Sequence, residues 1–109
     1  MDNPVLVGDD VEKFYDRVSI DVAFVSSTGV MNCSGLTSSY PLQVQVKRKL
    51  IKCATKKIAV LDSTKFMHSG VHEFCSFDDI DVIITTKTAE SAQQIKMIKE
   101  KYNVEVIFA

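Results

Sequence analysis

The stretch KIAVLDSTKF, residues 57–66, joins a mostly apolar run to an acid, two alcohols, a base and an aromatic ring. KIAVL (57–61) is apolar on both parities once Lys57 is passed, the pattern of a strand covered on both faces, and DVIITT (81–86) repeats it. Strands of this kind belong to parallel sheets, where ligands sit beyond the carboxyl ends. The polar tail DSTKF (62–66) therefore falls on a ligand-facing edge.

Outward from this strand the chain alternates two hydrophobic periods. Asp9 and Asp10 stand where a helix cap and a dipole partner belong, and Val11, Phe14, Tyr15 and Val18 follow at helical spacing. IDVAFVSS (20–27) predicts a strand ending in hydroxyls before Gly29. Residues 29–40, rich in Gly, Ser and Thr, predict a loop of functional length. Pro41 opens a helix that places Val46, Leu50, Cys53 and Ala54 on one face, although LQVQV (42–46) alternates like a strand. Residues 89–102 predict a second helix burying Ala92, Ile95, Ile98 and Tyr102, and VEVIF (104–108) a last strand. The order implies an α/β domain with a mainly parallel sheet and helices on both faces, Rossmann-like.

Composition narrows the function classes. The chain has 109 residues, 46% hydrophobic and 25% charged, which suits one globular domain. A formal net charge of -1 supplies no basic field to draw in nucleic acid, and no apolar run approaches the length of a membrane span. Cys33, Cys53 and Cys75, odd in number and without a CxxC pair, suit reduced thiols. These features together predict a soluble, cytoplasmic protein; no resident cofactor is expected.

Two strand exits carry the candidate binding residues. Ser26, Ser27 and Thr28 with the Gly29 backbone offer donors to an anion, Lys65 a compact positive charge, and Asp62 a partner for Lys65 or for sugar hydroxyls. Together they suit a phosphorylated polyol. The competing structural reading has Asp62 capping the turn, Ser63 and Thr64 satisfying backbone groups, and Lys65 in solvent. His68, His72 and Cys75 have a spacing that on a helix would suit zinc, but Gly70 and Val71 disfavour a helix there and no metal site is expected. Cys33 lacks a partner histidine at triad-like spacing, and KRKLIK (47–52) reads as a solvated helix face interrupted by Leu50 and Ile51.

Four blocks, DVAFVSSTGV, GLTSSYPLQVQVKRKLIKCA, VLDSTKF and FDDIDVIITT, resemble in order and spacing the C-terminal sensor domain of DeoR-family transcriptional repressors, from about Val7 onward. The resemblance implies a sugar-phosphate-isomerase-like fold of the ribose-5-phosphate isomerase and NagB type. It implies binding of a phosphorylated sugar or related metabolite, which weakens the grip of an N-terminal winged helix-turn-helix on operator DNA. On this reading residues 1–109 are a single sensor-domain fragment; the helix-turn-helix and the family's upstream Gly-Thr-Thr phosphate loop are not among them.

The departures bear on catalysis. Isomerases of this fold carry an acidic Asp-Gly-Ala-Asp-Glu run where this chain has Val25, Ser26, Ser27, Thr28 and Gly29, and Gln43 replaces the Glu that tends to precede Lys47. Without those carboxylates proton transfer loses its carriers, while Lys47, Asp62 and Lys65 remain as expected effector contacts. The expectation is a non-enzymatic effector sensor that forms a homo-oligomer. The alternatives are a sugar-phosphate isomerase or transferase, and a ligand-free oligomerisation module.

Overall fold

The computed structural model describes residues 19–31 and 34–109. Four strands, β1 (Ile20–Val25), β4 (Ala54–Val60), β6 (Val82–Thr85) and β7 (Glu105–Phe108), form a sheet in that order with every neighbouring pair parallel. A smaller antiparallel sheet joins β2 (Gly29–Met31), β3 (Gly35–Ser38) and β5 (His72–Ser76). Helix α1 (Pro41–Cys53) leads into β4 and helix α2 (Ala92–Lys101) links β6 to β7. Two 3-10 turns, Ser63–Met67 and Phe77–Asp79, flank β5.

Register gives the large sheet two unlike faces. Val25, Ala59, Ile83 and Val106 lie in one row across the four strands, and this row packs into the core with Val44 and Ile51 of α1 and Ile95 and Ile98 of α2. Both described helices therefore cover the same face, where helices on both faces were expected; right-handed crossovers that advance in one direction across a sheet give this arrangement. Neighbouring positions point the other way, and there Val22, Phe24, Val60 and Ile107 remain exposed. The helix expected over residues 9–18 lies outside the described residues.

The helices follow from local chemistry. Pro41 occupies the first turn of α1, where its missing N–H costs nothing. The buried stripe is Val44 and Ile51, two turns apart; of the expected face, Val46, Leu50 and Cys53 are half-buried and Ala54 begins β4. The alternation in LQVQV thus reflects a narrow helical stripe. In α2, Ile95 and Ile98 face inward and Tyr102, just beyond the helix, sets its ring 5.7 Å from that of Phe77.

Within residues 29–40, expected as a loop, Gly29–Met31 and Gly35–Ser38 instead pair as the antiparallel strands β2 and β3. These strands are short and carry Gly, Thr and Ser, residues with a weak strand signal, yet Leu36, Thr37 and Ser38 are almost fully buried. Thr37 makes this burial tolerable: its Oγ1 donates to the Gly29 carbonyl at 2.8 Å and accepts from the Gly70 N–H at 2.6 Å. The connection from β4 to β6 then returns through β5 where a helix is usual.

At the amino edge, Asp81 accepts the Lys57 N–H on Oδ2 at 2.8 Å, closing the backbone where β4 and β6 begin to run side by side. At the carboxyl edge, Val25, Val60, Thr85 and Phe108 all end on the same side. That edge positions the site.

Candidate functional site at the carboxyl edge

The first strand exit turns most of its donors inward. Ser27 is buried and its Oγ donates to the Gly29 carbonyl at 3.0 Å, while the Thr28 N–H donates to the Thr37 carbonyl at 2.8 Å. Thr28 Oγ1 accepts the Ser39 N–H at 3.4 Å, and Ser26 is exposed. Gly29 meets the end of the Ser63–Met67 turn so closely that a Cβ would lie 2.2 Å from the His68 carbonyl oxygen. That same oxygen accepts the Val30 N–H at 2.7 Å, so the two strand exits are joined directly.

Lys47, near the middle of α1, reaches this edge from the helix. Its Nζ donates to the Ser26 carbonyl at 3.0 Å and stands 5.1 Å from the centre of the Phe74 ring. Burial lowers its pKa from the ordinary lysine value, with Cys75 opposing the shift. Burial pushes the Cys75 thiol in turn up to about 12, so it is protonated near neutrality and unsuited to nucleophilic attack.

Asp62 caps the second exit. Its Oδ1 accepts the Thr64 N–H at 3.0 Å, and its main-chain carbonyl accepts the Lys65 N–H at 2.9 Å. The hydrogen bond from the Thr64 backbone, aided by the charge of Lys65, holds its carboxyl below the usual range. Leu61 and Phe66 on either side are buried, which pins the turn and leaves Lys65 half-buried at its outer surface. The acid thus has the structural role of a cap, and the base stands beside it at the sheet edge.

A cleft of about 340 Å³ opens next to this turn, between Ser63, Thr64, Met67 and His68 on one wall and Thr88 and Glu90 on the other. Three hydroxyls, an imidazole and a carboxylate can donate to and accept from a polyol there. Thr88 is held by the start of α2: its Oγ1 lies 2.8 Å from Ser91 Oγ and accepts the Ser91 N–H at 3.3 Å. The contribution of Thr88 and Glu90 was missed in the sequence. Both follow β6, whose carboxyl end lies on the same ligand-facing edge as those of β1 and β4.

His68 follows the turn, whereas His72 and Cys75 lie on β5 three positions apart, one exposed and the other buried. Their side chains do not converge; among the described residues no group of three His, Cys, Asp or Glu side chains is placed to hold a metal ion. Cys33 lies outside the described residues. Among the described residues no helix is long and apolar enough to cross a membrane.

Comparison with known proteins gives a concordant picture. The family model of the DeoR C terminal sensor domain matches residues 2–87. The HTH-type transcriptional regulator GlpR of Haloferax volcanii is 30% identical over 93 residues, which is 84% of this chain and 36% of that protein. The HTH-type transcriptional regulator IolR of Bacillus subtilis is 31% identical over 81 residues, covering 74% of this chain and 32% of that protein. The HTH-type transcriptional repressor GlcR of the same species is 26% identical over 87 residues, with coverages of 80% and 33%. The chain thus spans about a third of the length of these curated relatives. No solved structure matches it significantly.

Proposed function

The chain belongs to the DeoR C-terminal sensor domain family, and from that premise we propose that it is the effector-sensing part of a cytoplasmic transcriptional regulator of sugar metabolism. Its effector is a phosphorylated sugar or related metabolite, held at the carboxyl edge of the large sheet. The observation that carries this reading is the cleft where Ser63 and Thr64 face Thr88 and Glu90, beside the Lys65 turn and one backbone contact from Gly29. Hydroxyls suit the polyol, and the lysine suits the phosphate.

Of the expected contacts, Asp62 and Lys65 flank the cleft wall in sequence, Ser26 to Gly29 adjoin it through His68, and Lys47 braces Ser26. DNA binding is assigned to a helix-turn-helix outside these 109 residues, in keeping with the names of the relatives. Effector occupancy at the sheet edge changes operator affinity through that module, and the domain itself turns over no substrate. The exposed face of the large sheet, with Phe24 63% accessible, is the surface on which copies associate.

Isothermal titration of the chain with a panel of sugar phosphates and the corresponding free sugars tests the reading. Saturable heat with at least one phosphorylated member, and none with its free sugar, is expected. No heat with any member rejects it. Because His68 and Glu90 both line the cleft, a coupled isomerase assay is run alongside; turnover abolished by Glu90→Gln would favour an enzyme instead.

A further inference from the structure

A second hollow, of about 350 Å³, shares Thr88 with the effector cleft and lies against α2. Ile95 and Lys99, four residues apart, reach it from one helical face, and Lys96, three residues before Lys99, borders that face. Phe108 closes it from the end of β7, and Lys87, two residues beyond β6, sets its Nζ 5.9 Å from the centre of the Phe108 ring. Three ammonium groups thus ring an apolar floor that offers one carboxylate, Glu100, in return.

A purely structural explanation, lysine stems lying over apolar surface, accounts for the floor but leaves three ammonium groups facing one carboxylate.

We propose that this hollow binds a small aromatic anion: a planar ring carrying a phosphate or carboxylate, the ring against Ile95 and Phe108, the anionic group among Lys87, Lys96 and Lys99. The size of the hollow suits such a ligand, and cation, ring and apolar floor each match one part of it. The two hollows share Thr88 but differ in their other lining residues, so Ser63, Thr64 and His68 report on the cleft and Ile95, Lys99 and Phe108 on this hollow.

Amide-shift titration of the isotopically labelled chain with phenyl phosphate, inorganic phosphate and benzyl alcohol tests it. Phenyl phosphate is expected to shift Lys87, Ile95 and Phe108 saturably, with inorganic phosphate and benzyl alcohol each at least about tenfold weaker. Lys96→Gln combined with Lys99→Gln, at two exposed positions, is expected to weaken phenyl phosphate by about tenfold while leaving the remaining spectrum folded. Equal responses to phenyl phosphate and inorganic phosphate, shifts confined to Ser63–His68, or no shifts would each overturn the proposal, as would an undiminished response in the double variant.

Discussion

Lys47 Nζ donates to the Ser26 carbonyl at 3.0 Å, tying the middle of α1 to the exit of β1. The bond fixes the first residue of a segment whose other members are held by Thr37 and by the Ser63–Met67 turn. Lys47→Met keeps the stem over Phe74 and removes the donor. A charge-assisted bond contributes about 1.5–3 kcal/mol, part of it offset by the cost of burying the ammonium, so a loss of about 1 kcal/mol in urea unfolding is expected. Burial lowers the folded-state pKa, so wild type should gain on the variant as pH rises from that lowered value towards the ordinary lysine one.

Thr37 is the polar centre of the hairpin. Thr37→Val preserves shape but leaves the Gly70 N–H unpaired and removes one of two side-chain donors from the Gly29 carbonyl. A loss of about 2 kcal/mol is expected from chemical denaturation. Thr28→Val, at a half-buried position with a 3.4 Å contact, should cost much less.

Asp62 makes the Ser63–Met67 turn sensitive to acid. Its folded-state pKa is depressed chiefly by the Thr64 N–H, so its contribution is fully present above the unfolded value and is lost as pH falls through the folded one. The stability difference between wild type and Asp62→Ala should therefore be constant near neutrality and shrink below the ordinary carboxylate pKa of about 3.9. A difference that stays constant to the lowest workable pH would remove Asp62 as the cap.

Strands β4, β6 and β7 were legible from short apolar runs and helix α2 from its helical spacing: Ala59 and Ile83 are almost wholly buried within such runs, and Ile95 and Ile98 recur three residues apart on the buried side of the helix. The β2–β3 hairpin was not, because Thr37 and Ser38 are buried through hydrogen bonding that no hydrophobic period reports. At the site, the polar strand exits could be read directly, since Asp62 and Lys65 immediately follow an apolar strand. The inward turn of Ser27 could not be read, because its acceptor is the Gly29 carbonyl and Gly29 packs against His68, a residue distant in the chain. Thr88 and Glu90 required knowing that β6 ends beside β4.

The uncovered sheet face makes self-association testable. Val22, Phe24, Val60 and Ile107 are 42–63% exposed on one surface, which favours burial against a second copy. Light scattering after size exclusion should show wild type as a dimer or larger and Phe24→Lys shifted towards monomer. A monomeric wild type at high concentration would assign that face to something else.

On the proposed reading a phosphorylated sugar sits where β4 and β6 end. Hydrogen–deuterium exchange of the chain with and without a sugar phosphate that gives saturable heat tests this most directly. Exchange should slow over residues 61–68 and 86–91, with no change around Lys57 and Asp81 at the opposite edge. Protection at Lys57 and Asp81, with residues 61–68 unaltered, would contradict it.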